Sequence, residues 1–90
     1  MGSKLLRGVR FQSYSGDHAS AKVAHVHAHF AEGDVAIELD EESRSVGLST
    51  QHGRAGAIDP DVKKRDVRRA LDIASREFDA LLDLWKDSRP

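Results

Sequence analysis

Two short runs in the middle of the chain alternate between polar and apolar residues, and they constrain the fold more than any other feature. The first run is His25–Phe30, and the second covers residues 35–40, Val-Ala-Ile-Glu-Leu-Asp. Successive side chains of a strand point to opposite faces, so this alternation is typical of strands with one buried face. The residues between the runs include Gly33 and have turn chemistry. The pattern therefore predicts a β-hairpin.

The register of this hairpin decides which side chains meet. A two-residue loop at Glu32 and Gly33 places residue 27 opposite 38 and residue 25 opposite 40. One face then collects the apolar residues Val26, Ala28, Phe30, Val35, Ile37 and Leu39. The other face collects His25, His27, His29, Ala36, Glu38 and Asp40. A three-residue loop with a bulge would shift the pairing by one, and the face assignment within each strand survives that shift better than the cross-strand pairs do.

The remaining elements follow from turn signals and periodicity. Strands are expected near 9–14, 25–31, 34–40 and 45–49, and a helix near 60–87 that opens with Asp59 as N-cap and Pro60 behind it. The main apolar stripe of this helix is Val67, Ala70, Leu71, Ala74, Phe78, Leu81, Leu82 and Trp85. A thinner second stripe is Val62, Ile73, Ala80 and Leu84. We predict one α+β domain over 1–90, a three- to four-stranded antiparallel β-meander with one long C-terminal helix packed on one face.

Composition narrows the classes of function. The chain has 90 residues, a formal net charge of −1 and no cysteine, which excludes disulfides, thiolate zinc sites and cysteine nucleophiles. No apolar run approaches the ~18 residues of a membrane span, so we expect a cytoplasmic protein without membrane contact. A domain this small has a modest core, and a protein partner or a homodimer is a reasonable expectation.

The three alternating histidines suggest a metal or acid–base site. His25 and His27 stand about 6.5–7 Å apart at Cα in a strand and can lean onto one ion, whereas His29, about 13 Å from His25, cannot join them. Glu38 is the first candidate for a third ligand, followed by Asp40 and by His18. The metal candidates are therefore His25, His27 and Glu38, and the catalytic candidates are these three with His18. No cofactor other than a divalent metal is indicated.

The same histidine pattern is also expected without any chemistry. Histidine is tolerated on the solvated face of a sheet, where pairs with carboxylates across a hairpin contribute about 0.2–1 kcal/mol each. A polar binding surface is a further interpretation of the same residues. No nucleophile-elbow or phosphate-binding motif occurs in the chain, so the sequence favours a binding protein over an enzyme.

Charge is distributed unevenly along the predicted helix. Its first turns carry the basic residues Lys63, Lys64, Arg65, Arg68 and Arg69, and its last turns carry Asp79, Asp83 and Asp87. This polarity opposes the helix macrodipole. It indicates contact with nucleic acid or an acidic partner, or else a solvated face with pairs such as Arg68 and Asp72. The near-neutral chain has only Tyr14 and Trp85 as stacking groups, which argues against strong nucleic-acid binding.

Several segments together resemble a family of small bacterial proteins of unknown function, the DUF4160 family. The matching motifs are Tyr14-Ser15-Gly16-Asp17-His18, His25-Val26-His27, the turn and strand from Glu32 to Leu39, and Leu81-Leu82-Asp83-Leu84-Trp85. The resemblance covers most of the chain. It implies a component of a toxin–antitoxin-like pair that binds a partner protein, or a partner protein and DNA together, with any shared site at His18, His25 and His27.

The leading hypothesis is thus a small cytoplasmic protein-interaction module. Its candidate contact residues are the five basic residues of the helix start together with Ile73 and Leu84 of the second stripe, and the histidine face of the sheet is a further candidate surface. One alternative is a small metal-dependent or acid–base enzyme that uses the His25 and His27 face. The other is a DNA-binding regulator that uses the basic helix start.

Overall fold

The computed structural model describes residues 2–13, 24–48 and 58–87. The strands are β1 (Gly2–Leu6), β2 (Val9–Ser13), β3 (His25–Phe30), β4 (Gly33–Asp40) and β5 (Ser45–Leu48). The helices are α1 (Lys64–Arg76) and α2 (Phe78–Asp87). All strands pair antiparallel in chain order, β1-β2-β3-β4-β5. The α+β class and the antiparallel meander are confirmed, with five described strands instead of three or four.

The additional strand is β1, which the alternation of the sequence did not reveal. It joins β2 through a two-residue turn in which Arg7 has φ +50° and Gly8 has φ +85°. Positive φ at both central residues defines the type I′ turn of a tight hairpin, for which Asn-Gly is the usual signal. The sequence here is Arg7-Gly8, and arginine is not a residue from which a left-handed backbone conformation is predicted.

The β3–β4 hairpin turns at Ala31 and Glu32, one residue earlier than predicted. Phe30 therefore pairs with Gly33 and His25 with Glu38, so the predicted register is wrong by two residues. A shift of two keeps every side chain on its predicted face, because the side-chain period of a strand is two. Gly33 has φ +147°, and a Cβ added there would lie 2.6 Å from Cβ of Asp59. The close approach of the chain ahead of α1 therefore requires glycine at this position.

The helical region begins later than predicted and is interrupted. Asp59 does not cap a helix; its carboxylate accepts a hydrogen bond from the backbone N–H of Asp34 at 2.9 Å, which ties the segment to the start of β4. The helix starts at Lys64, with Lys63 as an N-cap that makes no side-chain bond. Glu77, at φ −107° and ψ 29°, separates α1 from α2. One long helix is therefore replaced by two, which end at the predicted residue 87.

Both helices cover the same face of the sheet. α1 lies over β4 and β5, whereas α2 lies over β1, β2 and β3. The shared core contains Val9, Phe11, Val26, Ala28, Val35, Ile37, Leu39, Val62, Ala70, Ile73, Ala74, Phe78, Leu81 and Leu84. Phe30 and Leu82, expected in the core, pack against it and remain half-buried.

The second apolar stripe belongs to the core and is not a contact surface. Val62, Ile73 and Leu84 are 9%, 3% and 4% exposed, and Ala80 is half-buried. Ile73 and Leu84 turn inward because they follow the buried Ala70 and Leu81 by three residues, which places them on the same side of their helices. The expectation that Ile73 and Leu84 are offered to a partner is therefore wrong.

Candidate functional site

The three histidines of β3 share one face of the sheet, as predicted, but each is held differently. Their cross-strand neighbours on β4 are Glu38 for His25, Ala36 for His27 and Asp34 for His29. The face is also less open than expected, since His25 and Ala36 are each only 3% exposed.

His29 is engaged at both ring nitrogens. Nδ1 donates to Oδ1 of the Asp34 carboxylate at 2.6 Å, and Nε2 lies 3.0 Å from the side-chain amide of Gln12. Gln12 comes from β2 and reaches diagonally across the strand pair. An imidazole with both nitrogens engaged is not free to bind a metal or to take a proton from a substrate. His29 therefore connects β2, β3 and β4, and its role is to stabilise the sheet.

His25 is packed against aromatic neighbours. Its ring centroid lies 5.1 Å from that of Trp85 on α2 and 5.4 Å from that of His27, in an edge-on arrangement with the latter. Trp85 is itself only 6% exposed. His25 thus contributes to the contact between the end of α2 and the sheet, a packing role that the alternation alone could not distinguish from a ligand role.

A metal centre gains no support from the described residues. Within 2–13, 24–48 and 58–87, no three histidine, aspartate or glutamate side chains are grouped so that they could hold an ion. Glu38 does pair with His25 in the sheet, but His27 faces Ala36. His18, the other catalytic candidate, lies outside the described residues. The set of His25, His27 and Glu38 stays a prediction.

The basic start of the helix is a coherent exposed surface. The exposed residues of α1 are Lys64, Arg65, Arg68, Arg69, Asp72, Ser75 and Arg76, and Lys63 is exposed just ahead of it. The first acidic member of this outer face, Asp72, pairs with Arg76 at 3.1 Å. Asp66 also belongs to the first two turns, but it is half-buried. We call Lys63, Lys64, Arg65, Arg68 and Arg69 the basic cluster.

Most members of the basic cluster have no acidic partner within the described part of the chain. Arg69 donates to the backbone oxygen of Arg7 at 3.1 Å and holds the β1–β2 turn against α1. Arg7 in turn contacts Glu77 at 3.2 Å. The ion pairs among described residues do not include Lys63, Lys64, Arg65 or Arg68. Four cations therefore face solvent side by side.

Sequence reasoning did not single out Gln12 or Arg7. Gln12 alternates with the buried Phe11 on β2, and this alternation places it on the histidine face, so its contact with His29 had a readable signal. The position of Arg7 next to Arg69 had no such signal, because it depends on how the β1–β2 turn meets a helix 62 residues later.

Comparisons with known proteins do not indicate a family or a function for this chain. No protein-family model, no curated protein and no solved structure matches the chain. The resemblance to the DUF4160 family consequently stays a prediction. Neither described helix combines the length and the apolar composition that crossing a membrane requires.

Proposed function

We propose that this protein is an interaction module that binds an acidic segment of a partner protein on the basic cluster at the start of α1. The observation that carries the proposal is the outer face of the first two turns, where Lys64, Arg65, Arg68 and Arg69 are all exposed. No exposed carboxylate of α1 stands among them. An external set of carboxylates is the natural complement of such a face.

The positive charges of the basic cluster destabilise the start of α1, and a bound acidic partner would offset this loss of stability. Positive charges at a helix N-terminus oppose the macrodipole by about 0.3–1 kcal/mol each, and like charges four residues apart repel by about 0.2–0.5 kcal/mol per pair. Lys64 and Arg68 form one such pair, and Arg65 and Arg69 form another. A bound acidic segment would relieve both effects, because its carboxylates would stand where the helix end and the cations favour negative charge.

The observations favour a protein partner over nucleic acid. Among the described phenylalanine and tryptophan residues, Trp85, Phe78 and Phe11 are buried, and Phe30 on β3 is packed against the core, so none of them offers an exposed ring on α1 for a base to stack on. The chain carries a net charge of −1 and exposes carboxylates elsewhere, which weakens attraction to an extended polyanion. The resemblance to the DUF4160 family implies a partner protein in either case, since DNA is expected there only together with that partner.

The enzyme alternative has less support. His29 is committed to Asp34 and Gln12, and the described residues contain no group of three metal-ligating side chains. Binding through the basic cluster requires none of the histidines, so it is compatible with their packing roles.

The test uses a glutamate-rich helical peptide as the probe, with an uncharged peptide and random-sequence duplex DNA for comparison. Binding is followed by amide NMR shifts and fluorescence anisotropy at about 50 mM and 500 mM salt, since screening at the higher salt weakens exposed charge pairs. We expect the acidic peptide to shift amides of residues 63–69 and to bind more tightly than DNA. Tighter binding of DNA would favour the regulator alternative and overturn the proposal.

Arg68→Glu and Arg10→Glu form a matched pair of variants. Both replace an exposed arginine, but Arg10 lies on β2, opposite His29 of β3, and is not part of the basic cluster. Exposed ion pairs contribute about 0.2–1 kcal/mol, so converting attraction at position 68 into repulsion weakens peptide binding by up to about tenfold. We expect Arg10→Glu to bind like the unsubstituted protein. Equal loss in both variants would mean that only net charge matters and would contradict a defined site.

A further inference from the structure

The outer face of α2 carries the charge opposite to that of α1. The exposed residues of α2 are Asp79, Asp83, Lys86 and Asp87. Its three aspartates follow one another at four-residue intervals, and Asp79 also pairs with Arg44 of the β4–β5 turn at 2.6 Å. Residues spaced by four lie on one side of a helix, about 6 Å apart along the axis. We call Asp79, Asp83 and Asp87 the acidic row.

Both charged surfaces belong to one layer of the molecule. α1 and α2 lie on the same side of the sheet, over β4–β5 and over β1–β3 respectively. The outer surface of this layer is therefore basic over α1 and acidic over α2. A surface divided in this way is complementary to itself when a second copy is turned by a two-fold axis, because each basic half then meets an acidic half.

We propose that the acidic partner of the basic cluster is the acidic row of a second copy of this chain, in a two-fold symmetric pair with the helical layers face to face. This inference rests on the function proposed above and specifies its partner. The basic cluster contains the pairs 64/68 and 65/69, which repeat at the same four-residue interval as the acidic row. Antiparallel helices from the two copies can therefore match charge to charge along their length.

Pairing of two copies also offsets the unfavourable placement of charges at the helix ends within each chain. The first turn of α1 has Asp66 as its acidic residue, and the last turn of α2 has Lys86 as its basic residue. In the pair, carboxylates of the partner stand beside the start of α1, and cations of the partner stand beside the end of α2. Both placements are the ones that the helix macrodipole favours. The charge pattern that is unfavourable within one chain is favourable between two.

The association depends on charge, since the helical layer offers little apolar surface. The large apolar side chains that are exposed among the described residues are Leu5 and Leu48, and both belong to the sheet. Exposed charge pairs are screened by salt, with a Debye length of about 10 Å at 0.1 M and about 3 Å at 1 M. The pair is therefore weak and reversible, and it forms at low salt and high protein concentration.

The experiment is sedimentation velocity over a concentration series at low and high salt. It compares the unsubstituted chain, Lys64→Glu/Arg68→Glu, Asp83→Lys/Asp87→Lys, an equimolar mixture of these two variants, and the chain with all four substitutions. Each double variant places charges that the adjacent helix end prefers, so neither should impair folding. Circular dichroism confirms that the variants are folded.

We expect salt-sensitive dimers for the unsubstituted chain and at least about tenfold weaker association for each double variant alone. Mixing the two variants restores the dimer, because reversed charges on one copy meet oppositely reversed charges on the other. The fourfold variant dimerises again for the same reason. Monomers at every concentration, or dimers indifferent to the substitutions, would overturn the inference.

The two proposals fail separately. If the unsubstituted chain stays monomeric while the glutamate-rich peptide still binds at residues 63–69, the acidic partner is a different protein and the proposed function stands. If neither dimer nor peptide complex forms, both proposals are wrong.

Discussion

Adjacent leucines on α2 provide the sharpest test of how the helical layer sits on the sheet. Leu81 is 0% exposed and belongs to the core, whereas Leu82 packs against the core from outside and is half-buried. Leu81→Ala and Leu82→Ala make the same chemical change one residue apart in the same helix. The change in helix propensity is therefore the same in both variants, and burial alone separates them.

The magnitude follows from burial. Each buried carbon group contributes about 0.8 kcal/mol, and the cavity left in a close-packed site adds to the loss, so core Leu→Ala changes cost about 2.7–5 kcal/mol. We expect Leu81→Ala to lower the free energy of unfolding by about 3 kcal/mol and Leu82→Ala by about 1 kcal/mol. For a domain of this size, 3 kcal/mol corresponds to a fall in Tm of about 12–24 °C.

The assay is urea unfolding followed by helical circular dichroism and by Trp85 fluorescence. Both probes report on the helical layer, because Trp85 lies on α2 in contact with His25. Coincident transitions would justify a two-state treatment of both variants. If Leu82→Ala costs as much as Leu81→Ala, or more, the rotation of α2 on the sheet described above is wrong.

Two further substitutions and a titration test the remaining contacts. Gly33→Ala should lower the free energy of unfolding by more than about 1 kcal/mol, because of the positive φ of Gly33 and the nearby Asp59. Gly47→Ala, with nothing within 4 Å of its added Cβ, is the near-neutral control in thermal melts. His29→Ala should cost about 1–2 kcal/mol in urea unfolding, because Asp34 and Gln12 lose their bridge. Zinc should leave the NMR signals of the His29 ring nitrogens unmoved, and a selective shift would contradict their engagement.

The sheet was predictable where polar and apolar residues alternate without interruption. β3 and β4 each place apolar side chains on the face toward the helices, and this assignment survives the two-residue error in register because only the period of two matters. The exact partner of His25 was not predictable, since it depends on whether the chain turns at Ala31 or at Gly33. In the structure the chain turns at Ala31 and Glu32, and Gly33 at the start of β4 lies against the distant Asp59, a contact that the local sequence does not reveal.

The helical region was predictable in type and in its end, but not in its start or its break. Asp59 and Pro60 are favourable helix openers, yet the carboxylate of Asp59 is recruited by the backbone of Asp34 and the helix begins at Lys64. The inward position of Leu84 follows from its place three residues after the buried Leu81. The interruption at Glu77 is marked by no residue with special backbone preference in the sequence. The basic cluster, by contrast, was predictable from the sequence, because its members are close together in the chain and charged side chains are usually exposed.

The contacts that close the β1–β2 turn onto the helices have a consequence for how the chain folds. Lys4 donates to the backbone oxygen of Ala80 at 3.5 Å, Arg7 contacts Glu77 and Arg69 holds Arg7, so these bonds join positions 62 to 76 residues apart. The β1–β2, β3–β4 and β4–β5 hairpins, in contrast, close over two to four residues, and short loops close at little entropic cost. Folding rates fall as contacts become more distant in sequence. We therefore expect the capture of the β1–β2 turn by the arriving helices to be the slow step, and a variant that weakens the Arg69 contact to refold more slowly while its unfolding rate changes less.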